Sequence, residues 1–270
     1  MMLTDAVIHA FSLTLLAGMA TCLGSALLLF ADFKNMRFMA TTLAFSAGAM
    51  LYVSLVEILP KAAKVMEGRT DMNPQLIAIA SFFAGMVLFA LLDHLVPQQI
   101  NPHVAHADQK APLEHAHRIG HLKRVGWLSM AVISIHNFPE GMVTFFSGLQ
   151  DPSLGAVIAV AIAVHNIPEG ISVSVPVYFA TGSRWRAFGT AFLSGIAEPI
   201  GAALGYVVLA PYLDGPVLGV VFGLISGMMV ALSLDELLPF ARSYSKGHET
   251  LYGMMAGMMM MAISLLLFTL

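Results

Sequence analysis

Long apolar runs separated by short polar segments constrain this chain more than any other feature of its sequence. Of its 270 residues, 58% are hydrophobic and only 11% are charged, whereas an ordinary soluble domain has about 25% charged residues. The apolar runs reach about 20 residues or more, which is the length needed to cross a hydrocarbon core of about 30 Å. A lipid bilayer is therefore the predicted environment for most of the chain.

The apolar runs predict eight membrane-spanning helices. A membrane β-barrel would require alternating polar and apolar residues, and these continuous runs do not alternate. The predicted spans, with boundaries good to about 2–4 residues, are 6–30, 38–60, 76–97, 124–149, 153–180, 185–210, 216–240 and 249–270. We therefore predict an all-α fold in which residues 1–270 form a single transmembrane domain, with both termini on the same side.

Basic residues in the connections predict the orientation, because Lys and Arg favour the cytoplasmic face. Ten of the 13 fall on one side, in connections 31–37, 98–123, 181–186 and 241–248 and at the helix entrance Arg124. The other side holds only Lys61, Lys64 and Arg69. The chain is thus predicted to be a multi-pass protein of the cell (inner) membrane, with both termini on the non-cytoplasmic side.

The long connection 98–123 is rich in histidine and is the predicted flexible, cytoplasmic segment. Its histidines, with His94 at the preceding helix end, are His103, His106, His115, His117 and His121. Histidine-rich tracts can hold metal transiently. Because these side chains have no fixed spacing, the sequence leaves two interpretations open, a weak metal buffer and ordinary solvated residues.

Two motifs of the form H-N-x-P-E-G, His136–Gly141 and His165–Gly170, begin 29 residues apart and differ only at their third position. Both lie within apolar runs, where an ionisable side chain costs at least ~2.5–3.5 kcal/mol on insertion scales. Ionisable residues retained at that cost are functional candidates. The alternative, a kinked packing helix with an incidental polar pair, does not explain why the motif is repeated.

Helical geometry brings the polar residues of each motif onto one face. At 3.6 residues per turn, His136 and Asn137 lie on the same broad face as Glu140. The second motif repeats this arrangement with His165, Asn166 and Glu169. Imidazole nitrogens and carboxylate oxygens suit Zn²⁺, and a more oxygen-rich set admits harder ions such as Fe²⁺ or Mn²⁺. Two facing helices are therefore predicted to build a mixed nitrogen and oxygen cage for a divalent metal.

Proline and glycine in the motifs predict helices that are locally broken and closely packed. Pro139 and Pro168 each remove one intrahelical hydrogen bond, and at membrane depth such a kink is tolerated where the helix lines a cavity. Gly141 and Gly170 are predicted to let the backbone pass close to a neighbouring helix, as in transporters with discontinuous helices at the binding site.

A third carboxylate, Glu198, precedes Pro199 inside another apolar run and is the predicted additional ligand. Three carboxylates in a poorly solvated site would repel one another and take up protons. A dication would neutralise them and displace those protons, so metal occupancy is expected to weaken in acid. Three further carboxylates, Glu57, Asp235 and Glu236, lie nearer the predicted helix ends. Capping and pathway roles are equally compatible with that position, and the predicted site excludes them.

These features together resemble the ZIP (Zrt/Irt-like) metal transporters, particularly their bacterial members, over essentially the whole chain. The resemblance implies inverted three-helix repeats that flank a central pair, the fourth and fifth helices. It also implies two adjacent metal sites between that pair, with Glu140 and Glu169 shared by both. The first site would comprise Glu140, His165, Glu169 and His136, and the second Asn137, Glu140, Asn166, Glu169 and Glu198.

The resemblance further implies uptake of divalent metal toward the cytoplasm. Zinc would be favoured, and iron, manganese, cobalt and cadmium are the other expected ions, all of them transported and none a prosthetic group. Some family members carry other residues where this chain has His165 and Asn166, so the order of selectivity stays open. The expected partners are these ions and the lipid bilayer, and the sequence leaves open whether the chain forms a homodimer.

Two other functions compete with transport. An intramembrane metalloenzyme would use His and Glu around Zn²⁺ to activate water, but the sequence has no H-E-x-x-H motif, nucleophile elbow or separate substrate domain. A metal sensor or structural membrane subunit would hold the metal without a translocation path. Nucleic-acid binding is excluded, because the basic residues form no surface interleaved with aromatic side chains.

Overall fold

The computed structural model describes residues 2–30, 36–95, 134, 137–209 and 215–269. Within these ranges every regular element is helical and no strand is present, which confirms the all-α prediction. The histidine-rich connection 98–123 and His136 lie outside the described residues.

Ten helices make up the described part of the chain. They are α1 (Met2–Phe30), α2 (Met36–Val53), α3 (Leu59–Lys64), α4 (Pro74–Leu95), α5 (137–150), α6 (Pro152–Thr181), α7 (Arg184–Leu209), α8 (Gly215–Leu232), α9 (Leu238–Tyr244) and α10 (Glu249–Thr269). One turn of π-helix, Ser54–Ile58, joins α2 to α3, and a second, Ser233–Leu237, joins α8 to α9. Each pair therefore runs on as a single long helix.

Seven of these helices and joined helices are long and apolar enough to cross a membrane, counted over the described residues. The predicted fourth span, 124–149, is described at Ser134 and from residue 137 onward, and those residues are helical. The polytopic membrane character predicted from the apolar runs is thus confirmed.

Burial distinguishes the central helices from the peripheral ones. In α6, 61% of the positions in the apolar stretch Pro152–Ile171 are buried, against 17% in the stretch Glu249–Leu266 of α10. Helix α6 packs on α1, α7 and α2, whereas α10 packs mainly on α2, and α4 mainly on α8. Large apolar side chains that remain exposed on the outer helices, such as Leu91 and Val207, are suited to lipid contact. The second motif therefore lies on a helix that the other helices surround.

Glycines allow these helices to approach closely. The sequence predicts such packing through G-x-x-x-G patterns, among them Gly223–Gly227 and Gly253–Gly257. Gly227 of α8 lies against the carbonyl group of Phe82 in α4, and Gly257 of α10 lies against the carbonyl group of Phe45 in α2. A methyl group at either glycine would overlap the neighbouring backbone. The prediction that these patterns serve packing is confirmed.

The two π-helical turns correct one expectation. Glu57, Asp235 and Glu236 were expected near helix ends, but they lie in these turns, because the helices continue past Pro60 and Pro239 to Lys64 and Tyr244. A proline ring clashes with the carbonyl group four residues earlier. The wider turn relieves that clash, since the N–H of Leu59 donates to the carbonyl of Ser54, and the N–H of Leu238 donates to that of Ser233.

The turns also reveal an internal repeat that the sequence analysis missed. The segments Ser54–Pro60 and Ser233–Pro239 read S-L-V-E-I-L-P and S-L-D-E-L-L-P, with five of seven residues identical. Each segment lies where the two helices of one long pair join, α2 with α3 and α8 with α9. The same local sequence therefore gives the same π-helical turn twice.

Substitution of Gly227 by alanine tests the helix packing. The added methyl group meets backbone atoms of Phe82 and must separate α8 from α4, so we expect Gly227→Ala to lower the free energy of unfolding by about 1–3 kcal/mol. Gly189→Ala is the matched control, because nothing lies within 4 Å of a Cβ there, and its stability should be unchanged or raised by about 0.5–1 kcal/mol. Equal stability of the two variants, measured by unfolding in detergent, would contradict the packing.

Candidate metal centre

Helices α5 and α6, which carry the two motifs, are joined by a single residue and form a hairpin. That residue, Asp151, caps α6: its Oδ1 accepts hydrogen bonds from the backbone N–H of Ser153 at 2.9 Å and of Leu154 at 3.3 Å. A hydrogen bond from the Ser153 hydroxyl, these two backbone hydrogen bonds and the nearby charge of Lys61 lower the pKa of Asp151. Pro152 at the first turn suits a helix start. The short connection forces α5 and α6 to run antiparallel.

The centre of the site is a group of three buried side chains, Glu140 of α5 and His165 and Glu169 of α6, which we call the core cluster. One ligand atom from each lies within 4.8 Å of the others. His165 Nε2 is 3.2 Å from Glu140 Oε1, and both side chains are fully buried. Two carboxylates and an imidazole at these separations form a group that can hold a metal ion.

Three further polar residues, Asn137, Asn166 and Glu198, adjoin the core cluster and are also fully buried. The amide nitrogen of Asn166 donates to Glu198 Oε1 at 2.5 Å and to the carbonyl oxygen of Ala17 in α1 at 2.9 Å. The amide nitrogen of Asn137 donates to the carbonyl oxygen of Ser194 in α7 at 3.2 Å. We call Asn137, Asn166 and Glu198 the adjoining set, and it ties α5 and α6 to α1 and α7.

The side-chain amides are held so that their oxygens stay available. Both amide nitrogens donate to other helices. The Oδ1 atoms of Asn137 and Asn166 have no hydrogen-bond partner among the described residues. Glu198 Oε2 and His165 Nδ1 likewise have no hydrogen-bond partner in the part of the chain described. A buried acceptor without a donor is costly, by about 1–3 kcal/mol. A divalent cation would satisfy these atoms at once, so the donor set fits a metal.

Close helix contacts at glycine position these side chains. Gly141, next to Glu140, lies against the backbone of Glu198, and Gly170, next to Glu169, lies against the carbonyl of Thr21 in α1. A Cβ at either glycine would overlap that backbone. The prediction that these two glycines admit a neighbouring helix is confirmed. The contact at Gly141 is what brings Glu198 to the site.

The electrostatic environment of the site is strongly negative. Glu198 interacts electrostatically with both Glu140 and Glu169. The one buried Lys or Arg side chain among the described residues is Lys61, and the charges nearest to it are Glu57, Asp151 and Lys64. Uncompensated charges are expensive to bury. Three carboxylates buried close together therefore favour a dication or bound protons.

The predicted site residues largely come together. Glu140, His165 and Glu169 meet in the core cluster. Glu198 interacts electrostatically with Glu140 and Glu169 and contacts Asn166, and Asn137 contacts Ser194. His136 lies outside the described residues. Glu57 and Glu236 are partly exposed and Asp235 is exposed, so the buried cluster does not include them.

Ser194 contributes to the site, although the sequence patterns did not single it out. Ser194 orients Asn137 through its carbonyl and through its hydroxyl, whose oxygen is 3.4 Å from the amide nitrogen. It precedes Glu198 by four residues on α7, which places the two side chains on the same helix face. A buried serine at that spacing from an intramembrane carboxylate was the signal that could have identified it.

Comparisons with known proteins identify one family. A family model described as ZIP Zinc transporter matches residues 94–265. The zinc transporter ZupT of Nitratidesulfovibrio vulgaris is 49% identical to the chain over 270 residues, an alignment that covers 97% of this chain and 98% of that protein. Proteins of the same name from Chlorobium chlorochromatii and Stenotrophomonas maltophilia are 47% and 50% identical and cover 99% and 96% of this chain, and 100% and 95% of their own lengths.

Metal-dependent stabilisation tests the core cluster. Zn²⁺ at a free concentration of 100 Kd should raise the free energy of unfolding in detergent by about 2.7 kcal/mol. The double variant Glu140→Gln/Glu169→Gln keeps the shape of both side chains but removes their charge, so this stabilisation should disappear. Glu67→Gln, which neutralises an exposed carboxylate, is the control and should respond as the wild type does. A double variant stabilised as much as the wild type would place the metal elsewhere.

Proposed function

The chain belongs to the ZIP zinc transporter family, and from this premise we propose that it carries Zn²⁺ across the membrane into the cytoplasm through the core cluster. Membership of this family places the chain among transporters rather than enzymes. The observation that carries the proposal is the buried group of Glu140, His165 and Glu169. This group lies on two antiparallel membrane helices, and its α6 residues stand near the middle of Pro152–Thr181.

The core cluster would form the first of two neighbouring metal positions. His165 would supply a nitrogen ligand, Glu140 and Glu169 would supply oxygens, and His136 is proposed as a further ligand. The short distance between His165 Nε2 and Glu140 Oε1, 3.2 Å, keeps both groups in place before the ion arrives. A preorganised mixed set of nitrogen and oxygen ligands suits Zn²⁺.

The adjoining set would form the second position, with Glu140 and Glu169 bridging the two. Asn137, Asn166 and Glu198 would each contribute an oxygen, and this is supported by the amide nitrogens being held by Ser194, Ala17 and Glu198. This position is richer in oxygen than the first. Since carboxylate and carbonyl oxygens suit harder ions, it would widen the range to Fe²⁺ and Mn²⁺. Co²⁺ and Cd²⁺ are the other ions proposed for the chain.

The membrane arrangement completes the proposal. The whole chain would be one transmembrane domain of the cell inner membrane, with inverted three-helix repeats around α5 and α6 and with both termini on the non-cytoplasmic side. The repeated S-L-x-E-x-L-P segments, one in each proposed repeat, support the internal symmetry. All described ligands come from one chain, so a homodimer would contain two complete sites.

Transport assays test the proposal directly. Purified protein in sealed vesicles should accumulate ⁶⁵Zn²⁺ down a zinc gradient, and Glu140→Gln/Glu169→Gln should reduce the initial rate at least about 100-fold, because both metal positions lose their shared carboxylates. Asp71→Asn, which neutralises an exposed carboxylate outside the core cluster, serves as the control and should transport like the wild type. Retained uptake in the double variant would refute the site. Absence of uptake by the wild type under any gradient would refute transport itself and favour a metal-sensing or structural role.

A further inference from the structure

A cavity of about 1010 Å³ lies at the membrane face that carries the N-terminal end of α1, where Ala6 and Val7 line it. By the predicted orientation this is the non-cytoplasmic face, from which uptake would begin. Charged side chains of both signs line the cavity: Glu57, Lys61, Lys64, Glu67, Arg69 and Asp151. We call it the mouth cavity.

The mouth cavity lies on the same helix pair as the core cluster. Phe146 and Gln150 of α5 and Leu154 of α6 line it. Phe146 follows Glu140 by six residues, which is about 9 Å along a helix. Its buried ring stacks edge to face on Phe145, with ring centroids 5.6 Å apart. Phe146 therefore places the cavity less than two helical turns along α5 from Glu140.

Lys61 is the unusual residue of this cavity. Its side chain is only 8% exposed, and its Nζ has no hydrogen-bond partner in the described part of the chain. The ammonium group lies 5.2 Å from the centroid of the buried Phe222 ring. Burial of an ammonium without hydrogen bonds is costly. In the part of the chain that is described, the Phe222 ring and nearby negative charges offset that cost.

Those negative charges are Glu57 and Asp151, the two carboxylates that act on Lys61. Four residues separate Glu57 from Lys61, a spacing that forms ion pairs in a regular α-helix. The π-helical turn Ser54–Ile58 displaces Glu57 from that register, and the described structure has no ion pair between the two. Asp151 is engaged by the hydrogen bonds that cap α6. Lys61 thus reduces the attraction of Glu57 and Asp151 for a cation, but in the described structure it forms an ion pair with neither carboxylate.

We propose that Lys61 is a tethered cation that sets how strongly the mouth cavity attracts a divalent metal ion. Glu57 is the carboxylate that receives the ion, and the fixed ammonium charge opposes it. A dication then accumulates in the cavity only when the external concentration of that ion is high enough to offset the repulsion by the ammonium group. This inference rests on the proposed transport function and concerns the approach of the ion before it reaches the core cluster.

The test is the initial rate of ⁶⁵Zn²⁺ uptake into sealed vesicles as a function of zinc concentration. Lys61→Met should lower KM about tenfold, equivalent to about 1.4 kcal/mol, because the opposing ammonium charge is removed. Because Nζ is buried, the shift should persist when ionic strength rises from about 0.05 M to about 0.5 M. Lys61→Arg keeps the charge and should keep the wild-type KM.

Lys64→Met is the matched control, because Lys64 lines the same cavity one helical turn away but is exposed. Its effect on KM should be less than about twofold and should vanish at high salt. An unchanged KM in Lys61→Met, or an equal shift in Lys64→Met, would overturn the proposal.

Glu57→Gln tests the same interaction from the other partner. Alone it should raise KM about tenfold, and in the Lys61→Met background it should cancel most of the gain. If Lys61→Met does not insert in the membrane, Glu57→Gln still tests the proposal, because an unchanged KM in that variant would also overturn it. If the wild type does not accumulate zinc, the transport function fails. If it does and neither variant shifts KM, only the role of Lys61 fails.

Discussion

Burial of three carboxylates among membrane helices is the constraint on which the rest of this structure depends. Glu140, Glu169 and Glu198 interact electrostatically with one another and are removed from water. In the described structure the His165 imidazole contacts Glu140, and the Asn166 amide contacts Glu198. Such a site is stable only when positive charge enters it, as metal or as protons. The packing of the helices thus keeps the three carboxylates together in a site that binds cations.

Glycine and proline make that arrangement possible. The contact between Gly141 and the backbone of Glu198 brings α7 against α5, and the contact between Gly170 and Thr21 brings α1 against α6. At the mouth cavity, Pro60 favours the π-helical turn that separates Glu57 from Lys61. Residues that weaken a soluble helix are thus used here to place charged groups that the bilayer would otherwise reject.

Local periodicity explains which parts of the site the sequence could predict. His165, Asn166 and Glu169 lie within about one helical turn, so helix geometry alone places them together. From the sequence, Glu198 could be identified only as a third intramembrane carboxylate. Its approach to the other two could not be predicted, because it depends on the contact between α5 and α7. The orientation of the Asn137 and Asn166 amides depends on carbonyl groups of α7 and α1, which no spacing within the motifs encodes. The π-helical turns were missed although the repeated S-L-x-E-x-L-P segment was visible.

Anomalous diffraction from crystals grown with Zn²⁺ tests the central claim most directly. The account predicts one zinc peak within about 2.0–2.2 Å of ligand atoms of Glu140, His165 and Glu169. A second peak should lie beside it, against Asn166 and Glu198, at the separation of about 3.5–4 Å typical of two-metal sites. Zinc bound only elsewhere, for example among the histidines of the connection 98–123, would contradict the account.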